Sequence, residues 1–278
     1  MSNKGKVAVV TGSGGTLCSA MAIDLAAQGC KVVLVGRTLE KLQATEAKIK
    51  AAGGECAPMA ADVRNFDQMS ELRQKVLDKY GVCDILINGA GGNQPDAITT
   101  LTEYSPAELE DGFEGRGFFS LGLEKFADVV SINIMGTVIP CKIFGRDMAK
   151  KGGGNIINFA SMNTYRPLSR IPAYALSKAG ISNFTQWLAA YLAPAKIRVN
   201  AIAPGFFVNE RSAKILLTPD GGLSARGANI MSHTPMKRFG DAKELLGCMN
   251  WLLDDEKAGF VTGITVPVDG GFLSCAGL

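Results

Sequence analysis

Lys6-Val7-Ala8-Val9-Val10-Thr11-Gly12-Ser13-Gly14-Gly15 is the stretch whose reading decides the fold. An unbroken apolar run stops at a glycine-rich turn, and helical spacing begins at once, from Leu17 to Gln28. A strand covered on both faces reads as a continuous apolar run, not as an alternation. The glycines let the backbone approach a ligand closely. The helix start that follows offers unpaired N–H groups and the positive end of a dipole, which suits a pyrophosphate.

Working outward, the same rhythm recurs. Lys31–Val35 is a second apolar run, and Thr38–Ala52 is a charged amphipathic helix closed by Gly53-Gly54. A strand near Glu55–Ala60 leads into Asp62-Val63, a helix runs from Phe66 to Tyr80, and Cys83–Ile87 is a fourth strand. Further on come a helix from Leu123 to about Lys150, strand Asn155–Phe159, and a helix from Pro172 to about Pro194. Strand Ile197–Ile202, helix Ala242–Leu253 and strand Ile264–Val268 close the chain. Short β-rich runs alternating with helices call for a parallel sheet covered on both faces. The expected architecture is therefore α/β, one doubly wound domain over residues 1–278 with about seven parallel strands. Two segments break the rhythm, residues 91–121 and the irregular residues 204–238. Both follow strand C-terminal ends, where open α/β sheets bind ligands, and both are too long for simple connectors. They are expected to form the substrate loops.

Composition excludes several classes. With 278 residues, 47% hydrophobic and 20% charged, the chain is that of a globular domain. A net charge of +3 with scattered basic residues gives no footprint for nucleic acid. No unbroken apolar run is long enough to span a bilayer, and the first residues show no signal-peptide pattern, so a cytoplasmic protein is expected. Seven cysteines without metal-ligand spacing read as free thiols, and the one histidine, His233, rules out His-rich metal chemistry.

The chemistry concentrates in Ala173-Tyr174-Ala175-Leu176-Ser177-Lys178. On a helix, Tyr174 and Lys178 stand one turn apart on one face. A phenol titrates near ~10 and is a poor acid or base at neutral pH. A fixed cation beside it favours the phenolate and lowers that value toward the working range. Ser161, after the apolar run Ile156–Ala160, would end a strand with its hydroxyl free to hold the same reacting oxygen.

These residues, in this order, resemble the short-chain dehydrogenases/reductases over essentially the whole chain. Thr11-Gly12 resembles the family's glycine-rich turn, with Thr16 and Cys18 standing where two family glycines would be. Asp62-Val63 matches the aspartate after the third strand. Asn88-Gly89-Ala90-Gly91 matches N-N-A-G with its second Asn replaced by Gly89. Asn133 matches the mid-helix asparagine, Pro204-Gly205 the P-G turn, and Val268-Asp269-Gly270-Gly271 the terminal V-D-G-G.

The resemblance implies a Rossmann fold and a nicotinamide cofactor held by Gly12, Gly14, Gly15, Thr16, Leu17, Arg37, Asp62, Val63, Asn88, Ala90, Gly91, Tyr174, Lys178, Pro204 and Gly205. It also implies a catalytic set of Asn133, Ser161, Tyr174 and Lys178. Tyr174 would be the general acid/base, Lys178 would lower its pKa and hold the ribose, and Asn133 would hold a relay water. Gly36-Arg37 at the end of the second strand supplies a cation and no carboxylate, which favours NADP(H), with NAD(H) possible. Finer stretches, among them Gly15–Ala22, Asn88–Asn93 and Ser161-Met162-Asn163, resemble the D-mannonate oxidoreductases (fructuronate reductases). That likeness implies a sugar-acid substrate. Arg166, Arg170, Arg211 and His233 are candidates for its carboxylate, and Asn93 and Asn163 for its hydroxyls. The alternatives are a reductase of acyl-thioesters or other ketones, and a dinucleotide-binding regulator without turnover. Family likeness further suggests a homotetramer.

Overall fold

Alternate residues of Val7–Thr11 (β1) enter two different apolar layers: Ala8 and Val10 one, Val7 and Val9 the other. Lys31–Gly36 (β2) divides the same way, Val32 and Leu34 against Val33 and Val35. Both faces are covered, which is why the sequence shows no alternation. With Glu55–Ala60 (β3), Ile85–Asn88 (β4), Gly154–Phe159 (β5), Ile197–Pro204 (β6) and Thr265–Val268 (β7), these strands form one parallel sheet in the order β3-β2-β1-β4-β5-β6-β7. This computed structural model describes residues 3–275, apart from the side chains of residues 210 and 211.

The helices are Thr16–Ala27 (α1), Leu39–Ala51 (α2), Phe66–Tyr80 (α3), Leu123–Lys151 (α4), Pro172–Leu192 (α5), Glu210–Leu216 (α6), Ala225–Ser232 (α7) and Glu244–Leu253 (α8). α1, α2 and α8 bury Leu25, Leu42, Ile49, Met249 and Leu252 on one face of the sheet. α3, α4 and α5 bury Met69, Leu72, Phe144, Met148 and Leu188 on the other. Arg73 of α3 grips Asp147 of α4 with two charge-assisted bonds, Nε–Oδ2 at 2.5 Å and Nη2–Oδ1 at 2.7 Å. α4 is long and apolar enough to cross a bilayer by length and composition alone. Its apolar side lies instead against the sheet, where Ile139, Ile143, Phe144 and Met148 are buried.

The irregular stretch expected over 204–238 is corrected by the structure. It holds α6 and α7, each too short for an 11-residue periodicity to show. Residues 91–121 contain only two 3₁₀ turns, Pro95–Ala97 and Pro106–Leu109.

Strand order reverses direction between β1 and β4, and a crevice opens beyond their C-terminal ends at such a point. Thr11 joins the two lips: its hydroxyl oxygen accepts from the N–H groups of Gly89 and Ala90, both at 3.1 Å. Gly12 takes φ +72, and a side chain there would fall 2.7 Å from the Gly89 carbonyl oxygen. At residue 89 a Cβ would overlap the sulfur of buried Cys18.

Candidate active site

Two cavities share the lip formed by Gly12, Gly15 and Gly91. The first, about 430 Å³, is walled by Ser161, Tyr174 and Lys178 on one side and by Gly12, Gly15, Thr16 and Leu17 on the other. The second, about 280 Å³, lies toward β2 and β3 and is lined by Gly14, Arg37, Lys41, Asp62, Val63 and Ala90.

β5 delivers Ser161 just past its end, where the residue opens a 3₁₀ turn. Its hydroxyl oxygen accepts from the N–H and the side-chain amide of Asn163, each at 3.2 Å. Asn163 in turn accepts from the Leu168 N–H at 2.9 Å, so it positions the serine. α5 carries Tyr174 and Lys178 on one face, with the ammonium 5.5 Å from the phenol ring centroid. Lys178 is 4% exposed and donates to the Phe159 carbonyl at 2.7 Å. Burial pushes its ammonium down to about 8. Burial pushes the Tyr174 phenol up, and hydrogen bonding to Ser161 opposes that rise. The net direction is upward, against the expected lowering, because desolvation outweighs the Ser161 hydrogen bond.

Asn133 is fully buried in α4 and faces β4's loop. Its Nδ2 donates to the carbonyls of Gly92 and Val129, both at 2.8 Å, and its Oδ1 accepts from the Gly92 N–H at 3.1 Å. Both amide donors are used, so the side chain straps α4 to Gly92. A Cβ on Gly91 would come 2.5 Å from the same Oδ1, which keeps that position bare.

Several expected contacts fall elsewhere. Asn88 does not line either cavity: its Nδ2 donates to Asn158 Oδ1 at 2.9 Å and to the Cys141 sulfur, tying β4 to β5 and α4. Asp62 lines the second cavity, but Arg64 holds both its oxygens and keeps the carboxyl below its usual range. Arg166 is exposed and donates to the Cys275 carbonyl at 3.1 Å, while Arg170 donates to the Thr99 carbonyl at 2.8 Å. Neither lines the first cavity, nor does Asn93, whose Oδ1 accepts from the Gln94 N–H. His233 hydrogen-bonds the Asn229 carbonyl at the end of α7. The Arg211 side chain lies outside the described residues. Of residues 91–121, only Gly91 and Gly92 reach the first cavity. From 204–238, Pro204, Gly205, Phe206, Phe207, Asn209 and Arg226 do. No local pattern marked Lys41 or Arg226, since only the tertiary fold brings them to the crevice.

The residues present fit a dinucleotide. The start of α1 has no side-chain cap, so its first N–H groups are left for a ligand between the two cavities. The bare backbone at Gly12 and Gly91 supplies the close approach.

Comparison with known proteins defines the class. The family model for short chain dehydrogenases matches residues 6–218. The chain belongs to that family and is an NAD(P)-dependent oxidoreductase. Among its relatives, the oxidoreductase UxuB of Bacillus subtilis is 46% identical over 274 residues, covering 99% of this chain and 97% of that protein. The 2-dehydro-3-deoxy-D-gluconate 5-dehydrogenase of Dickeya dadantii is 31% identical, covering 98% and 96%. A crystal structure of a candidate D-mannonate oxidoreductase from Haemophilus influenzae with bound NAD superposes with a TM-score of 0.93 at 39% identity, covering 99% of this chain and 97% of that one.

Proposed function

We propose that the protein interconverts a hydroxyl and a carbonyl on a sugar acid, with D-mannonate/D-fructuronate as the favoured pair. The observation that carries this reading is the single cavity in which Ser161, Tyr174 and Lys178 face the uncapped start of α1, with no carboxylate among the described lining residues. Among the described lining residues, the charges a negatively charged substrate meets are the cations Lys178 and Arg226. The Dickeya relative and the Haemophilus structure, both with sugar-acid names, support the same class.

In this reading Gly12, Gly15, Thr16 and Leu17 hold the pyrophosphate of the nicotinamide dinucleotide, and Val63, Ala90 and Arg37 its adenosine end. When bound, the cofactor accepts or supplies the hydride. The protein supplies position and proton. Ser161, oriented by Asn163, donates to the substrate oxygen. Tyr174 exchanges the proton with that oxygen, because its hydroxyl shares the cavity wall with Ser161. Lys178, fixed by the Phe159 carbonyl, keeps a positive charge beside the phenol ring. That charge favours the phenolate and opposes the cost of its burial.

Arg37 and Lys41, with Asp62 already taken by Arg64, support binding of a 2′-phosphate and hence NADP(H). The NAD in the Haemophilus structure supports the opposite preference. We propose that both bind, with NADP(H) favoured. A homotetramer is supported by the exposed stack of Trp187 and Tyr191 on α5, and sedimentation giving a monomer mass would remove it. Seven free cysteines support a cytoplasmic setting.

The test is a panel of hexonates and ketohexuronates, with acyl-thioesters and simple ketones alongside, followed by absorbance of the reduced nicotinamide with both cofactors. Turnover confined to the thioesters or ketones would overturn the sugar-acid reading.

A further inference from the structure

Among the described residues, two charged side chains line the first cavity, Lys178 and Arg226. Lys178 is committed to the Phe159 carbonyl and the phenol ring. Arg226 is different. It has no hydrogen-bond or ion-pair partner among the described residues, whereas Arg166 and Arg170 are bound to carbonyls and Arg64, Arg73, Arg198 and Arg238 to carboxylates.

Its place on α7 is also unfavourable for the helix itself. Arg226 is the second residue of α7, and a cation in the first turn opposes the helix dipole. No acid in that turn offsets it. The backbone beneath it is nonetheless held in place. Ser224 caps the helix by accepting from the Gly227 N–H at 3.1 Å, and its own N–H donates to the Leu216 carbonyl at 3.0 Å. Leu217 and Leu223 bridge the two strands of that loop, and a side chain at Gly227 would overlap the Leu216 carbonyl. A fixed base under a guanidinium with no partner among the described residues, beside a cavity with no acid among its described lining residues, has the make-up of an anion receptor.

Resting on the sugar-acid reading above, we infer that Arg226 is the residue that anchors the substrate carboxylate. A guanidinium presents parallel N–H donors that match the two oxygens of a carboxylate. Anchoring that end from α7 fixes which carbon of the chain reaches Ser161 and Tyr174, so Arg226 sets specificity without touching the reacting carbon. The same cavity borders the glycine turn, so a phosphate of the dinucleotide is the competing occupant.

The test uses the holoenzyme with Arg226→Met and Arg226→Lys. Each is assayed on D-mannonate and D-fructuronate and on their uncharged counterparts, D-mannitol and D-fructose. Affinity for the reduced dinucleotide is measured separately by its fluorescence. For Arg226→Met, kcat/KM for the acids should fall about ten- to a hundredfold relative to the uncharged pair, the range of a hydrogen bond to a charged group, mainly through KM. Arg226→Lys should recover part of the loss. Equal losses on acids and uncharged compounds would overturn the inference. So would a dinucleotide affinity weakened tenfold or more, which would assign the residue to the phosphates. A wild-type enzyme that prefers the acids while Arg226→Met leaves the ratio unchanged overturns the inference alone. A wild-type enzyme with no preference for the acids overturns the underlying reading as well.

Discussion

Replacing Asn133 with alanine cuts three hydrogen bonds made by a side chain with no exposed surface. The Val129 carbonyl lies within α4, so the groups that lose most are the N–H and carbonyl of Gly92. Two bonds at about 1 kcal/mol each give a loss of about 2 kcal/mol in stability, measurable by chemical denaturation. The functional effect is larger than the bond count suggests, because Gly91 and Gly92 line the crevice. Ordering one released residue on binding costs about 1–2 kcal/mol, or roughly a tenfold weaker Kd. We therefore expect Asn133→Ala to weaken dinucleotide binding about tenfold, as measured by fluorescence titration, and to lower stability in parallel. A fall in kcat with stability and dinucleotide Kd both intact would refute the strap and support the expected relay role instead.

Further outcomes follow from the same geometry. Tyr174→Phe should reduce turnover by ~10²–10⁴-fold, the usual range for general acid–base catalysis, while dinucleotide Kd stays near the wild-type value; retention of a tenth of the activity would remove the phenol from the chemistry. Arg37→Asp should shift preference from NADP(H) toward NAD(H) by about ten- to a hundredfold, and an unchanged ratio in paired Kd titrations would discard the charge reading. Lys178 has a folded value of about 8, below its ordinary 10.5, so burying its charge destabilises the protein at neutral pH. As pH rises through that window the folded state releases its proton first, and stability improves. Lys178→Met should therefore raise the melting temperature at about pH 7, with a gain that shrinks near pH 10; a gain that is flat or grows with pH would contradict the burial effect.

Much of the fold is legible because a parallel sheet covered on both faces writes its strands as apolar runs. β3 and α3 fall at Glu55–Ala60 and Phe66–Tyr80, the bounds the sequence suggests. α6 and α7 are not legible, since seven and eight residues give too few turns for a period to stand out. At the site, Tyr174, Lys178 and Ser161 are readable because their relation is local: one helical turn, and one strand end ahead of it. The contacts of Asn88 and Asn133 are not readable, because each depends on partners in other elements: Asn158 and Cys141 for the first, Gly92 for the second. Arg166 and Arg170 looked well placed by proximity to Ser161, but chain proximity says nothing about direction. Arg226 reaches the cavity from a helix that the sequence reading did not resolve.

Cys18 and Gly89 are departures from two separate family motifs, a larger residue where the glycine-rich turn usually has glycine and a glycine where the stretch after β4 usually has asparagine. In space they are one event. The Cys18 sulfur occupies the volume that a Cβ at residue 89 would need. Bulk has been moved from one lip of the crevice to the other, leaving the space between β1 and β4 filled. The two positions are therefore epistatic, and the order of change is constrained. Restoring Asn at 89 while Cys18 stays requires the buried Cys18 sulfur to turn aside, whereas glycine at both positions removes that demand. A lineage, or a designer, moving between the two forms meets the least crowding through the smaller pair.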